Sequence, residues 1–328
     1  MTSSIGVVGR FVMLPIQEMI LVCYSAQIAA DYRKYVKMFG ADMDIREFAQ
    51  LYWERVEGSG AKIPKAMDAA FSSAETADLR KIQGTIDQFA AAQSSKFEQE
   101  VFKQRTRLAD AERTLAIKTT KAATESKRIA TNKIDAALRG LDDLRRTDLK
   151  ERDSRIYPGW YAPVMIVQDG QRVVLPMRYR CRLPGWTAET EKIKDGSYNA
   201  RRDHLNTAWR KLFGFQHGIV IVDRFYENVK RDGNNIVLRF DPTPGQPLLI
   251  ACLWHRWTVP GEPDLLSFAA ITDEPPPEVA AAGHDRCIVP VKPEHVDQWL
   301  NPDPRNLPAQ YAILDDRERP YYEHQMAA

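Results

Sequence analysis

The run GIVIVDRFYENV (residues 218–229) sets the fold class, because it reads as a β-strand that ends in a carboxylate-bearing motif. Runs of the same texture surround it: APVMIV (162–167), RVVLPMRYRCRL (172–183), NIVLRF (235–240), PLLIACLWHRW (247–257), LLSFAAIT (265–272) and RCIVPV (286–291). Gly and Pro punctuate the gaps between them, as turns between strands require. The spacing predicts a helix over RRDHLNTAWRKLF (201–213) and a second short one over PEHVDQWL (293–300). The expectation is an α+β fold: a curved or barrel-like antiparallel sheet with flanking helices and a long helical arm inserted near its front.

Working back from the sheet, the texture changes. From about Leu79 to Arg155 there is no proline, aromatics are few, and Val101, Leu108, Leu115, Ala122, Ile129 and Ala136 recur every seven residues. This predicts a coiled-coil-like arm, either one helix or two joined near Gly140, with a thin apolar seam. Lys96 to Arg155 carries more Lys/Arg than Asp/Glu, so the arm reads either as a solvated helical hairpin or as a DNA-contacting one. Further upstream, Ile28, Tyr32, Tyr35 and Val36 predict a helix from Ser25 to about Phe39, stopped by Gly40. A second helix is expected near Asp44, with Ile45, Phe48, Leu51 and Tyr52 on one face. The tail after Pro302 reads as a peripheral strap.

The chain has 328 residues, 44% of them hydrophobic, and 46 Lys+Arg against 44 Asp+Glu give a net charge of +2. That sum neither announces nor excludes a nucleic-acid partner, since local clusters decide the matter. Cys23, Cys181, Cys252 and Cys287 are far apart without CxxC spacing, so neither a zinc site nor a disulfide framework is expected. A reducing, cytoplasmic setting follows from that usage. No apolar run approaches the roughly 20 residues that span a bilayer.

Four motifs bring chemistry to the β-rich half: YNAR (198–201), RFYE (224–227), AAIT (269–272) and GHDR (283–286). They offer an amide at Asn199, a carboxylate at Glu227, an imidazole at His284 and guanidiniums at Arg201 and Arg286, the ingredients of an acid/base site beside a phosphate. Their order after an early cysteine resembles the SRAP family (SOS response-associated peptidase, also called abasic-site processing proteins). Its members begin Met-Cys and then carry an NAR motif, a G-[FWY]-[FY]-E-W strand and an H-x-R motif. The matches here are Cys23, Asn199-Ala200-Arg201, Phe225-Tyr226-Glu227 and His284-Asp285-Arg286, with PGW (184–186), FGFQHG (213–218) and AAIT as supporting context.

The resemblance covers Cys23 to about Tyr52 and Ile156 to about Asn301. It implies a catalytic domain over 23–78 and 156–305, an inserted helical arm over 79–155, a tail over 306–328 and an N-terminal extension over 1–22 without function. Three positions depart from the family pattern: Cys23-Tyr24-Ser25 stands for Cys-Gly-Arg, Asn228 for the Trp after the glutamate, and Tyr179-Arg180 for a Trp-Gly pair.

What the resemblance implies is a protein that reacts with the ring-opened aldehyde of an abasic site in single-stranded DNA, through a Schiff base that closes to a thiazolidine. A thiazolidine needs an amine and a thiol on adjacent carbons, which only an N-terminal cysteine has, so Cys23 must be terminal in the mature chain. On this reading Glu227 and His284 move protons, Asn199 orients the Cys23 terminus, Arg201 and Arg286 hold flanking phosphates, and Trp186 stacks on an exposed base. Arg178, Arg180 and Arg182 alternate along a strand, as either a DNA-facing stripe or a solvated face. No metal, cofactor or membrane is expected, and the sequence names no protein partner. Weak abasic-site lyase activity is a corollary.

An N-terminal-nucleophile hydrolase that exposes Cys23 by self-cleavage uses the same thiol and amine, and a non-catalytic coiled-coil protein would leave Cys23 internal. In MILVCYSAQI (19–28), Val22 sits where the family has its initiator Met, and a GTG codon reads as Val internally but as Met at a start. Initiation at residue 22 is therefore expected, with cleavage before Cys23 as the alternative.

Overall fold

The computed structural model describes residues 25–327 apart from Asp195 and Asp232, so Cys23 and the extension before it lie outside the described residues. Strands β1 (Ser25–Ile28), β2 (Asp42–Met43), β3 (Arg155–Ile156), β4 (Tyr161–Gln168), β5 (Gln171–Tyr179) and β6 (Asn199–Arg201) precede the long β7 (His217–Arg231). After it come β8 (Asn234–Thr243), β9 (Leu248–Trp257), β10 (Leu265–Asp273), β11 (Cys287–Ile288) and β12 (Tyr321–Met326). The helices are α1 (Arg33–Phe39), α2 (Ile45–Val56), α3 (Lys65–Ala69), α4 (Ala77–Ile117), α5 (Lys121–Arg145), α6 (Ala188–Ile193), α7 (Pro277–Ala281), α8 (Val296–Leu300) and α9 (Leu307–Asp315).

All twelve strands join one mixed sheet in an α+β fold. β9 pairs antiparallel with both β7 and β10, and β10, β5, β4 and β7 complete a partial ring. Most pairings are antiparallel; β10 with β5, β10 with β6 and β2 with β5 are parallel. β4 and β5 meet at a two-residue turn in which Asp169 and Gly170 both have positive φ, 51° and 76°. That twist matches the strands, and Asx-Gly is the sequence that tolerates it.

The ring's weakest joint is between β4 and β7, where Met165 and Ile219 form the single ladder pair. A side chain bridges there. The fully buried Tyr35 Oη accepts from the Ile221 amide at 2.8 Å and donates to the Pro163 carbonyl at 2.8 Å. Pro163 faces Pro176 across β4–β5, where neither residue has an N–H to give. Close approach is also needed where β7 begins. A Cβ on Gly218 would sit 3.1 Å from both Cys252 Sγ and Val164 Cγ1. The Trp299 indole, from α8, donates to the Gly218 carbonyl at 2.9 Å.

Two expected helices are corrected. Ser25–Ile28 is a strand, antiparallel to β7 and β3, and the helix behind it starts only at Arg33; non-local pairing overrides the local spacing. Gly40 ends that helix in the left-handed region, as expected. Residues 201–213 form one short helical turn at Arg202–His204 followed by successive turns rather than an α-helix. Leu205, Trp209, Leu212 and Phe213 are buried at helix-like spacing, yet Trp209 N bonds the His204 carbonyl five residues back, because β6 pins Arg201 extended at one end. The second helix near Asp44 forms as expected, with Asp44 accepting from the Arg46 and Glu47 amides. Its buried face joins an aromatic cluster of Tyr32, Phe48, Tyr52 and Phe71.

The arm is a helical hairpin, α4 against α5, and α4 at 41 residues is about 60 Å long. Its break falls at residues 118–120, where Thr120 caps α5 through the Ala123 amide, and not at Gly140. Gly140 lies inside α5 for a different reason: a Cβ there would come within 2.6 Å of the Phe97 ring that packs over it. The seam runs as expected along α4, through Val101, Leu108 and Leu115. Beyond the break it moves by one residue, to the buried Ala123, Ala130 and Ala137, because the three-residue turn resets the helix phase. Ion pairs Glu112–Lys127 at 2.9 Å and Glu100–Lys133 at 3.5 Å flank that seam. The tail carries α9 and then β12, whose six residues pair with β8.

Candidate functional site

Three short segments place the expected acid/base residues together. β7 carries Glu227, fully buried; the turn after α7 carries His284; and β6, parallel to β10, carries Asn199 beside Ala270. Gly283 has φ of 99°, which a side chain would resist, and it turns the chain so that His284 points back at β7. His284 Nε2 lies 3.1 Å from Glu227 Oε2.

The other ring nitrogen fixes the ring's orientation. His284 Nδ1 lies 2.9 Å from the Arg286 carbonyl oxygen and 3.3 Å from the Arg286 amide nitrogen, so the backbone of one residue clasps that edge of the imidazole. That leaves Nε2 facing the Glu227 carboxylate, an imidazole and a carboxylate in position to exchange a proton. Asn199 is buried, with its Oδ1 3.3 Å from Tyr179 Oη. Tyr179 stacks on Phe268 at 5.3 Å between ring centroids, so β5 and β10 jointly fix the amide's position.

Two residues join this group to which the motifs gave no role, one in the supporting context and one at a departure from the family pattern. Thr272, from AAIT, is fully buried opposite Arg201, and its hydroxyl has no hydrogen-bond partner among the described residues. Tyr179 stands at a position where the family pattern has another residue. A lone hydroxyl in an apolar run gives a sequence reader no signal of its contacts.

The expected DNA contacts fall in two places. Arg201 holds Asp203 through two hydrogen bonds at 3.1 and 2.7 Å, and Asp203 is kept below the usual carboxylate range chiefly by that bond, with Arg286 and His204 adding positive charge. Arg180 and Trp186 belong to a second neighbourhood. β5 ends at Tyr179, and Arg180 has φ of 144°, so the stripe Arg178, Arg180, Arg182 is not a strand face. All three guanidiniums converge on the buried Glu191 of α6, with Arg182 Nε at 2.8 Å, Arg180 Nε at 3.6 Å and Arg178 in direct contact. Trp186 is partly buried; its carbonyl accepts from the Trp257 indole at 2.7 Å, and Lys194 Nζ lies 5.1 Å from its ring centroid.

The remaining thiols are buried. Burial pushes Cys181 up to about 12, Cys252 well above its ordinary value, and Cys287 up as well, with the nearby Glu227 charge adding to the last. No cluster of three or more His, Cys, Asp or Glu that would hold a metal occurs among the described residues. Among those residues no helix is long and apolar enough to cross a membrane.

A ring-forming α+β sheet that buries a Glu–His pair beside an NAR strand defines an SRAP-type domain. The chain belongs to the SOS response associated peptidase (SRAP) family, whose model matches residues 98–327. Similar solved structures include a protein from Bordetella bronchiseptica at 21% identity, with 56% of this chain and 90% of that one covered and a TM-score of 0.45. Another is a protein from Bacteroides thetaiotaomicron, at 16% identity over 53% of this chain and 78% of that one, TM-score 0.44. A phage-related protein from Bordetella bronchiseptica is 19% identical over 56% and 85%, TM-score 0.41. No curated protein matches.

Proposed function

We propose that this protein links covalently to ring-opened abasic sites in single-stranded DNA through the α-amine and thiol of an N-terminal Cys23, shielding the lesion during the response to DNA damage. The observation that carries the reading is the buried Glu227–His284 contact at 3.1 Å, a proton-transfer pair with no stabilising purpose evident in so apolar a core. β1 begins two residues after Cys23, and its first residue, Ser25, pairs with Tyr226, the neighbour of Glu227. Two residues of chain span at most ~7 Å, which supports a Cys23 terminus acting at that strand.

The steps balance without a cofactor. The amine adds to the aldehyde carbon C1′, and the resulting hydroxyl leaves as water after protonation, giving the imine. The Cys23 thiolate then attacks the same carbon, the C=N electrons return to nitrogen, and a proton completes the thiazolidine. Glu227 and His284 donate and recover those protons, and Asn199, held by Tyr179, orients the amine. Arg201 and Arg286 hold flanking phosphates, while Trp186 and Arg180 meet the strand beyond them. The imine also opens a route to β-elimination, hence weak lyase activity. Release of the residues before Cys23 by its own thiol is the peptidase reading that the family name favours, and it would generate the same terminus.

The test combines the intact mass of the mature protein with incubation on single-stranded oligonucleotides with and without an abasic site. A denaturation-resistant adduct that needs the lesion and a terminal Cys23, and is absent in Cys23→Ser, is expected. No adduct from protein verified to begin at Cys23 would overturn the reading.

A further inference from the structure

Where the arm returns to the sheet, Lys150 to Ser154 lead into β3, and a cleft of about 400 Å³ opens, lined by Lys150, Arg152, Arg155, Tyr157, Tyr226 and Arg239. One acidic side chain stands in it. Glu151 accepts from Tyr226 Oη at 2.7 Å, from Arg239 Nη1 at 3.3 Å on both carboxylate oxygens, and faces Arg224 Nη1 at 3.4 Å. A hydroxyl and two guanidiniums around one anion are what a phosphate also requires. The Glu151 side chain is 46% exposed, so leaving the site costs it little desolvation or packing.

The cleft sits at the entry of β1. Arg155 donates to Ser25 Oγ at 3.1 and 2.9 Å and lies 3.6 Å over the Tyr226 ring. Tyr226 and Glu227 are consecutive on β7, so the cleft and the Glu–His pair lie on opposite faces of one strand. Arg224 and Arg239 are braced from behind by Asp241, at 3.1 and 2.8 Å, which holds their planes toward Glu151.

The geometry points to a phosphate subsite here: a backbone phosphate of single-stranded DNA displaces the Glu151 carboxylate and takes its place between Tyr226, Arg224 and Arg239, with Lys150 and Arg152 adding charge at the rim. Glu151 thereby acts as an internal competitor that weakens binding to strands which cannot fill the site. The inference rests on the DNA reading above and deepens it, since the subsite is built from the foot of the arm.

The test is equilibrium binding of the full chain to a fluorescent single-stranded oligonucleotide without a lesion, at several salt concentrations. Glu151→Gln is expected to bind on the order of threefold to tenfold more tightly, because a charge that competes with phosphate is gone. The double variant Lys150→Gln with Arg152→Gln, both exposed and away from the core, should bind more weakly, with the slope of log K against log salt reduced by about 0.7 for each phosphate no longer neutralised. In a scan of neutral methylphosphonate linkages, one position should weaken binding to the unsubstituted protein and weaken binding to the double variant by a smaller factor. Melting curves verify that each variant is folded.

Unchanged affinity in Glu151→Gln together with an unchanged salt slope in the double variant would overturn the subsite. So would inorganic phosphate that binds through Lys150 and Arg152 while no strand binds. Adduct formation on abasic oligonucleotides is read separately: its absence sinks the proposed function, whereas an adduct with no effect at residues 150–152 sinks only this inference.

Discussion

Glu227 and His284 meet across a buried 3.1 Å contact, and the Arg286 backbone holds the far side of the imidazole. Glu227→Gln keeps the volume and puts an amide, which cannot take up a proton at neutral pH, in place of the carboxylate, so the fold should persist while proton transfer fails. Adduct formation in single turnover is expected to fall by about 10²–10⁴-fold in Glu227→Gln and in His284→Ala, with non-covalent strand affinity changed far less. A rate equal to that of the unsubstituted protein in either variant would remove the pair from the chemistry.

Burial keeps Cys181, Cys252 and Cys287 in the thiol form far above neutral pH. In folded protein that begins at Cys23, a thiolate-selective reagent at neutral pH should therefore modify a single cysteine, identified by peptide mapping as Cys23. Denaturant should expose the other three. Rapid labelling of any of them before unfolding would contradict the burial described.

Tyr35→Phe should destabilise the protein by about 1–3 kcal/mol, since it leaves the buried Ile221 amide and Pro163 carbonyl without partners. Denaturant midpoints check this, and Ile221 amide exchange should quicken more than that of other β7 amides. A neutral result would mean that the β4–β7 joint is held by packing alone.

His217 gives a pH dependence with a defined sign. Its Nδ1 faces the Trp299 carbonyl at 3.0 Å and its Nε2 accepts from the Gly214 amide at 2.8 Å, so the neutral ring is the bonded form. Burial lowers its pKa from 6.5 to about 3. The unfolded chain takes up the proton first, so this contribution is complete above 6.5 and fades as pH falls towards about 3, at up to ~1.4 kcal/mol per pH unit. His217→Gln should show a flatter stability profile between pH 6.5 and 5, and a protein whose ring signals titrate near 6.5 would exclude the account.

The strands were legible because β-branched runs between Gly and Pro have few other uses. GIVIVDRFYENV reads as a strand on either side of its irregularity opposite Gln27 and Ile28, and Asp44 and Gly40 mark helix ends by chemistry that acts within four residues. What escaped the sequence depends on partners far along the chain. Ser25–Ile28 is helical by spacing and extended by its pairing with residues 222–226. The Arg178, Arg180 and Arg182 alternation promised one face, but a positive φ at Arg180 and the single carboxylate of Glu191 gather the three instead. At the candidate site the motif residues were visible by type; the hydroxyls of Tyr179 and Thr272 were not, since a hydroxyl's importance lies in what faces it.

The phase change between α4 and α5 makes the arm a telescoping part. Because each helix repeats its contacts every seven residues and the turn at 118–120 absorbs the mismatch, removing or adding one heptad on both helices leaves the remaining seam matched. Arm length can therefore vary across generations of sequences by steps of roughly 10 Å without disturbing the sheet. An indel of any other size must be compensated across the hairpin or it rotates the alanines outward.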